Sequence, residues 1–421
     1  MLTSEMKDSG VEWIGEIPKK WEVAKLKVAL KKEKKIVKEY KGENILSLTM
    51  NGVIIRDLVN PKGKMPNTFD GYQAISKGNI VTCLFDIDVT PRCVGIANAD
   101  GLTSPAYTQF AVSNKFDTDF LYYYLLMLDN DKIIVPITKS LRNTIKNEDF
   151  LNLPFCFPNL NIQKKITERI TTDISKINQL MRDTQKSIEE LKIYKQSLIT
   201  EVVTKGLDEN VEMRDSKIEW MGKIPEKWKL AKTNQLFSIQ KNIANKVGYD
   251  VLSVTQSGLK VKDINQNAGQ MAADYSKYQI VKPGYFVMNH MDLLTGWIDI
   301  ARQKGVTSPD YRAFYARNNN IVLNEFYLYV FQVCYMNKIF YGLGQGVSNL
   351  GRWRLQTEKF LNFYLPLPPY EEQKDIVEFL RGQLLKINSI IEQKRILVDE
   401  LENYKKTIIY EYITGKKEIE R

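Results

Sequence analysis

The segment "MKDSGVEWIGEIPKKWEVAK", which begins at Met6, returns as "MRDSKIEWMGKIPEKWKLAK" from Met213, with twelve of the twenty positions identical. A near-copy displaced by half the chain requires an internally repeated fold, because matched sequences form matched local structures. The offset persists well past the opening. "ILSLTMNGVIIRDL" from Ile45 answers to "VLSVTQSGLKVKDI" from Val251, Tyr72 and Gln73 answer to Tyr278 and Gln279, and "GLTSPAY" from Gly101 answers to "GVTSPDY" from Gly305. "ERITTDISKIN" from Glu168 aligns with "EFLRGQLLKIN" from Glu378. Each half is therefore about 210 residues, large enough to bury a core of its own.

Within each half the texture changes once. Short β-branched and aromatic runs punctuated by Gly, Pro, Asn and Asp give way to a long polar and apolar segment. Runs at 45–49, 79–85 and 285–288 read as strands, and "TDFLYYYLLML" from Thr118 and "NEFYLYVFQVCYM" from Asn324 read as one buried helix in each half. The second texture predicts a helix of about 43 residues, about 65 Å long, after Pro158 and again after Pro369. Steps of three and four from Ile174 reach Ile177, Met181, Thr184, Ile188, Leu191, Lys195, Leu198 and Val202. The same steps from Leu384 reach Ile387, Ile391, Lys394, Val398, Leu401, Lys405, Ile408 and Tyr412. A 3.5-residue repeat is the seam of a coiled coil, and here even its polar interruptions coincide.

The expected fold is α+β, with two globular mixed α/β domains joined by two long helices that form an antiparallel intramolecular coiled coil with pseudo-two-fold duplication. The expected divisions are 1–160, a first domain with its leader; 161–206, a long helix; 207–369, a second domain with the repeated leader; 370–415, a second long helix; and 416–421, a tail. A homodimeric coiled coil is the alternative packing. Pro368 and Pro369 read as the stop before a helix whose first turn is acidic, Glu371 and Glu372. The first helix instead opens "FPNLNIQKKI", with Asn161 as the expected N-cap.

No window approaches the roughly 20 apolar residues of a membrane span, and residues 1–30 are charged throughout, so a cytoplasmic protein is expected. The four cysteines, Cys83, Cys93, Cys156 and Cys334, are scattered, and none lies beside the single histidine, His290. That spacing argues against disulfides and zinc, and His290 reads as structural rather than as a general base. The net charge of +10, of which +6 falls in residues 207–368, suits a polyanion such as nucleic acid.

Several catalytic fragments fail on inspection. "FYGLG" from Phe340 and "LPPY" from Leu367 echo parts of an adenine methyltransferase, but Leu367 stands where a polar acceptor must hold the base's amino group. No GxxxxGK[ST] loop occurs, and the carboxylates of Asp86 and Asp88 have only Asp292 as a counterpart in the second half.

Two recognition-sized domains, two matched long helices and no catalytic constellation resemble the specificity (S) subunit of Type I restriction-modification systems. The resemblance rests on the repeated leaders "DSGVEWIGEIPKKW" and "DSKIEWMGKIPEKW", on "LPLPPYEEQKDI" opening the second helix, and on the duplicated order of domain and helix. It implies a non-catalytic chain in which each domain reads one half-site of a bipartite, asymmetric target in double-stranded DNA, while the helices set the spacer. It further implies two methyltransferase (M) subunits carrying S-adenosylmethionine and restriction (R) subunits using ATP and Mg²⁺, with no cofactor bound by this chain.

Base-edge discrimination needs side chains such as Arg, Asn and Gln in polar loops where the two domains differ. The candidates are Lys62, Lys64, Lys139, Arg142 and Asn143 in the first domain, and Gln270, Gln345, Ser348, Asn349, Arg352 and Arg354 in the second. The leader residues Trp13, Pro18 and Trp21, matched by Trp220, Pro225 and Trp228, read as a docking clip seating each domain against the helices. Residues reading different half-sites have little reason to be identical. A self-sufficient DNA adenine methyltransferase and a coiled-coil scaffold without nucleic-acid binding are the rival readings.

Overall fold

The computed structural model describes residues 5–61, 63, 65–138, 143–263, 274–346 and 353–419. The chain forms two compact units. One comprises Met1–Gln185 with Arg395–Arg421, the other Lys186–Lys394, so both boundaries fall inside the long helices.

The same four-stranded antiparallel sheet is built in each unit. In the first unit its order is Leu30–Glu33, Thr108–Val112, Ile80–Thr82, Val94–Ile96. In the second it is Phe237–Ile239, Arg312–Ala316, Phe286–Met288, Ile298–Ile300. Thr108 lies opposite Thr82 in one sheet and Arg312 opposite Met288 in the other, so the two registers correspond. The aromatic-rich segments are 13-residue helices, Thr118–Asn130 and Asn324–Met336, and most of their large side chains are buried. Around them Phe110 stacks on Phe150 at 5.4 Å, and in the second unit Phe286 stacks on Phe314 at 5.0 Å. These rings belong to the main core of each unit, where burying apolar area is favourable.

Several of the repeated polar residues have a structural explanation. Buried Gln73 donates through Nε2 to the carbonyls of Ser104 and Tyr107, both at 2.8 Å, and buried Gln279 donates to those of Ser308 and Tyr311, both at 2.7 Å. The Thr of each "TSP" donates through Oγ1 to a neighbouring strand, Thr103 to Leu46 O at 3.0 Å and Thr307 to Leu252 O at 2.9 Å. Buried backbone carbonyls need such partners, and losing one leaves a penalty of about 1–3 kcal/mol. The repeated polar letters thus satisfy the scaffold's internal hydrogen bonds.

The long helices run Leu160–Lys205 and Tyr370–Ile413, 46 and 44 residues. Each is tied at its start by a buried glutamine. Gln163 donates to Pro158 O at 2.8 Å and accepts from Asp117 N at 2.9 Å. Gln373 donates to Pro368 O and Ile321 O and accepts from Leu323 N. In both units the glutamine therefore joins the long helix to the backbone just before the domain's own aromatic helix.

The cap of the first long helix differs from the sequence expectation. Asn159, not Asn161, is the capping residue, because its Oδ1 accepts from Ile162 N at 3.0 Å. Asn161 lies one turn position too late to reach an unpaired amide of the first turn. Replacing Asn159 with Ala lowers stability by about 1 kcal/mol, whereas Asn161→Ala changes it by less than about 0.5 kcal/mol, as chemical denaturation will show.

In each unit the beginning of one long helix lies with the end of the other. Ile174, Ile177 and Met181 share a cluster with Leu401 and Ile408 in the first unit. In the second, Ile188, Leu191 and Leu198 cluster with Ile387 and Ile391, while Leu384 joins the main core. Such pairing is antiparallel. Ile177, Ile188, Leu384, Ile387, Ile391 and Ile408 are buried; Ile174, Met181, Leu191, Leu198, Val398 and Leu401 are half-buried. The polar seam position Lys195 donates to Asn388 Oδ1 at 2.9 Å. No helix among the described residues is long and apolar enough to cross a membrane.

Candidate nucleic-acid interface

The two repeated leaders sit on helix ends. In the first unit the hairpin Met6–Asp8 with Glu16–Pro18 brings Pro18 and Trp21 against Gly415, just past the second long helix. A β-carbon on Gly415 would come within 2.5 Å of Pro18 and 3.1 Å of Trp21, and its φ of +72° independently favours glycine. Trp13 donates through Nε1 to Tyr124 Oη at 3.4 Å, and Tyr124 in turn donates to Pro154 O at 2.6 Å.

In the second unit the hairpin Met213–Asp215 with Lys223–Pro225 brings Pro225 and Trp228 against Gly206, just past the first long helix. There φ is +78°, and an added β-carbon would lie 3.3 Å from Trp228 and 2.9 Å from Glu372 Oε1. Trp220 stacks on Phe363 at 5.7 Å. Trp228 is fully buried, its carbonyl accepting from Arg214 Nη2 at 2.6 Å. Rings buried in this way present no face on which a base can stack.

The loops that differ between the domains spring from equivalent scaffold points. In the first domain Ile145 N donates to Leu84 O at 3.0 Å and Ile87 N to Asn143 O at 3.3 Å. In the second, Leu355 N donates to His290 O at 2.9 Å and Leu293 N to Trp353 O at 3.2 Å. Each domain therefore pins a loop after an inner strand to the segment preceding its last short helix.

Of the eleven recognition candidates, Asn143, Gln345 and Arg354 fall within the described residues. Lys62, Lys64, Lys139, Arg142, Gln270, Ser348, Asn349 and Arg352 lie outside them. Asn143 is half-buried with φ +41°, a conformation asparagine tolerates, and its Oδ1 accepts from Thr138 Oγ1 at 3.0 Å. Its side-chain oxygen thus holds the loop together. Gln345 and Arg354 face each other across an antiparallel bridge closed by two backbone hydrogen bonds of 3.0 Å, and both side chains are exposed. Gln345 Oε1 also accepts from Gln356 Nε2.

Arg354 borders a cleft of about 290 Å³ that sequence reasoning did not single out. Lys241, His290 and Arg312 line it as well. Burial foremost, then the nearby charges of Arg312, Arg354 and Lys241, lower the His290 pKa to about 3, so the imidazole is neutral. Arg312 is buried, and burial lowers its pKa to about 10. The only hint in the sequence was the position of Arg312 within an otherwise apolar strand, "RAFYA".

All four cysteines are free and buried, and burial raises their pKa values, to about 12 for Cys93 and Cys156. Such thiols are poor nucleophiles. Among the described residues no group of three or more His, Cys, Asp or Glu side chains is placed to hold a metal ion. "FYGLG" forms the short helix Ile339–Leu343 and its cap rather than an open glycine loop.

Two domains with one buried scaffold and different polar loops, each built around portions of both long helices, define an internally duplicated recognition chain. Residues 225–403 match the Type I restriction modification DNA specificity domain. The Type I restriction enzyme MjaVIII specificity subunit of Methanocaldococcus jannaschii is 25% identical over 332 residues, covering 75% of this chain and 74% of that protein. The fold is shared with a chain from a structure of complex assembly and conformational transition in the type I R-M system: TM-score 0.67, 12% identity, 95% of this chain and 99% of that one. It is shared too with the HsdS subunit from Thermoanaerobacter tengcongensis: TM-score 0.55, 13% identity, 95% and 98% coverage. In sequence and in fold the chain is thus similar to specificity subunits of Type I restriction-modification systems.

Proposed function

We propose that this chain is the address-reading component of a cytoplasmic restriction-modification complex. Each domain reads one half-site of a bipartite, asymmetric DNA target, and the paired long helices set the unread spacer between them. The observation that carries this reading is the contrast between conserved frame and altered loop within one chain. Gln73 and Gln279 hold the same carbonyls, and Gln163 and Gln373 tie the same junctions. At matched positions, however, the first domain has Leu84 where the second has His290, and Thr108 where the second has Arg312. Phosphate contacts position a domain without reading sequence, and bidentate base contacts then discriminate at about 1–3 kcal/mol each.

Two copies of an M subunit dock on the duplicated helical and leader surfaces and supply S-adenosylmethionine chemistry; R subunits add ATP- and Mg²⁺-dependent restriction. Exposed apolar side chains on the long helices, Ile193 and Tyr194 on the first and Leu385 and Ile396 on the second, support partner docking. The leaders act as clips that fix each domain to a helix end. The chain itself binds no cofactor.

The test is co-purification with the M subunit followed by DNA binding. Two M copies per chain and sequence-dependent, salt-sensitive binding are expected. Methylation of DNA by this chain alone with S-adenosylmethionine would establish the self-sufficient enzyme instead, and sequence- and salt-independent behaviour of the complex would establish a scaffold.

The spacer role makes a separate prediction. Inserting seven residues, about two turns or 10.5 Å, into one helix lengthens the preferred spacer by about three base pairs or abolishes binding. Both half-site sequences stay unchanged. A changed half-site in the selected targets would defeat the ruler.

A further inference from the structure

The second domain contains a cationic cleft beside its inner strands. Its lining includes Lys241, just beyond the strand Phe237–Ile239, His290 beyond Phe286–Met288, Arg312 at the start of Arg312–Ala316, and Arg354. Three of these are cationic, and Asp310 is the one carboxylate among the described lining residues. Where the second domain has His290 and Arg312, the first has Leu84 and Thr108, and Thr108 Oγ1 merely donates to Asn147 Oδ1 at 3.1 Å.

Arg312 has an unusual environment for a buried cation. Its Nη2 donates to Leu355 O at 2.9 Å and to Thr357 Oγ1 at 3.4 Å, and its guanidinium lies 4.6 Å from the centre of the Phe360 ring. Nη1 approaches Met288 Sδ at 3.9 Å. Among the described residues no carboxylate lies within ion-pair distance of it. Taking a charge out of water costs several kcal/mol unless an opposite charge compensates, and the neutral partners here orient the guanidinium without neutralising it. Arg354 adds to the repulsion instead of relieving it. His290 contributes a buried Nδ1 that has no hydrogen-bond partner among the described residues. An anion in the cleft would compensate Arg312, Arg354 and Lys241 together.

We infer that the cleft bounded by Lys241, His290, Arg312 and Arg354 seats a backbone phosphate of the DNA bound by the second domain. A phosphodiester suits it better than a base edge. Its two unesterified oxygens accept from several donors converging from different directions, whereas base recognition uses one planar, bidentate donor pair. Gln240, also in the lining, is already engaged as acceptor of the Tyr285 hydroxyl at 2.7 Å, so the cleft's free chemistry is dominated by charge. The contact would orient the second domain on the duplex without reading sequence.

This inference rests on the half-site reading, and the test separates the two. Lys241 and Arg354 are exposed and outside the core, so Lys241→Ala and Arg354→Ala are the informative variants. The full chain is assembled with its M subunit, and DNA affinity is measured against salt for target and unrelated duplexes. Each variant is expected to bind both duplexes about tenfold more weakly, with the slope of log K against log salt reduced by about one. Replacing single phosphates of the second half-site by neutral methylphosphonates should weaken the wild type at one position, and Arg354→Ala should remove that sensitivity. If the wild type binds its target but the variants match it at every salt concentration, the phosphate seat is overturned and the half-site reading stands. If the loss is confined to the target sequence, the cleft reads a base instead. If the wild-type complex shows no salt-dependent binding, the half-site reading itself falls, and the cleft assignment with it.

Discussion

Exchanging residues 27–155 for the corresponding segment of another specificity subunit will replace one half-site of the target completely and leave the other unaltered. The segment includes the variable loops of the first domain but leaves outside it the leader residues Trp13, Pro18 and Trp21 and the helix-binding Gln163. It also carries both members of the internal pair Gln73 and Ser104 together, so that buried hydrogen bond travels with it. Because a specific site exceeds non-specific affinity by roughly a thousandfold or more, the switch in preference should be of that order. Methylome sequencing of cells carrying the chimaera and its M subunit reads both half-sites at once. A change in both, or in neither, would refute independent reading by the two domains.

The largest stability effect is expected at Trp228. Its ring is fully buried, packs beside Gly206 at the end of the first long helix, and anchors the second leader. Trp228→Ala should cost about 3–5 kcal/mol, because both the transfer of the indole and the cavity left behind act against the fold. Trp228→Phe retains part of the ring volume and should cost less. Trp228 Nε1 has no hydrogen-bond partner among the described residues, so little is lost when the N–H is removed. Urea denaturation of the full chain provides the measurement, and a loss below about 1 kcal/mol for the alanine variant would show that the leader is not an anchor.

The leader and the polar pairs illustrate what duplication can and cannot disclose. Gln73 and Gln279 could be aligned from sequence, yet their task required seeing that Ser104 and Tyr107 expose carbonyls to the first as Ser308 and Tyr311 do to the second. Asn159 and Asn161, two positions apart, fit the same capping pattern in sequence, and only the path of the chain decides which side chain reaches Ile162 N. His290 read as structural because no catalytic partner lies near it in sequence. Its cationic neighbours arrive from two other strands and a distant loop.

By itself the sequence determined the repetition, the mixed domains and the two long helices, since each follows from local periodicity and from copies that must fold alike. Tertiary structure alone decided that each leader closes on the C-terminal end of the long helix that belongs to the other half. It also decided that Arg312 is buried with no carboxylate of the described residues within ion-pair distance. The physical reason is the same in each case. Helical and strand patterns are set over one or two turns by side-chain spacing, whereas which distant surfaces meet, and which charges share a cleft, depends on burial summed over the whole unit.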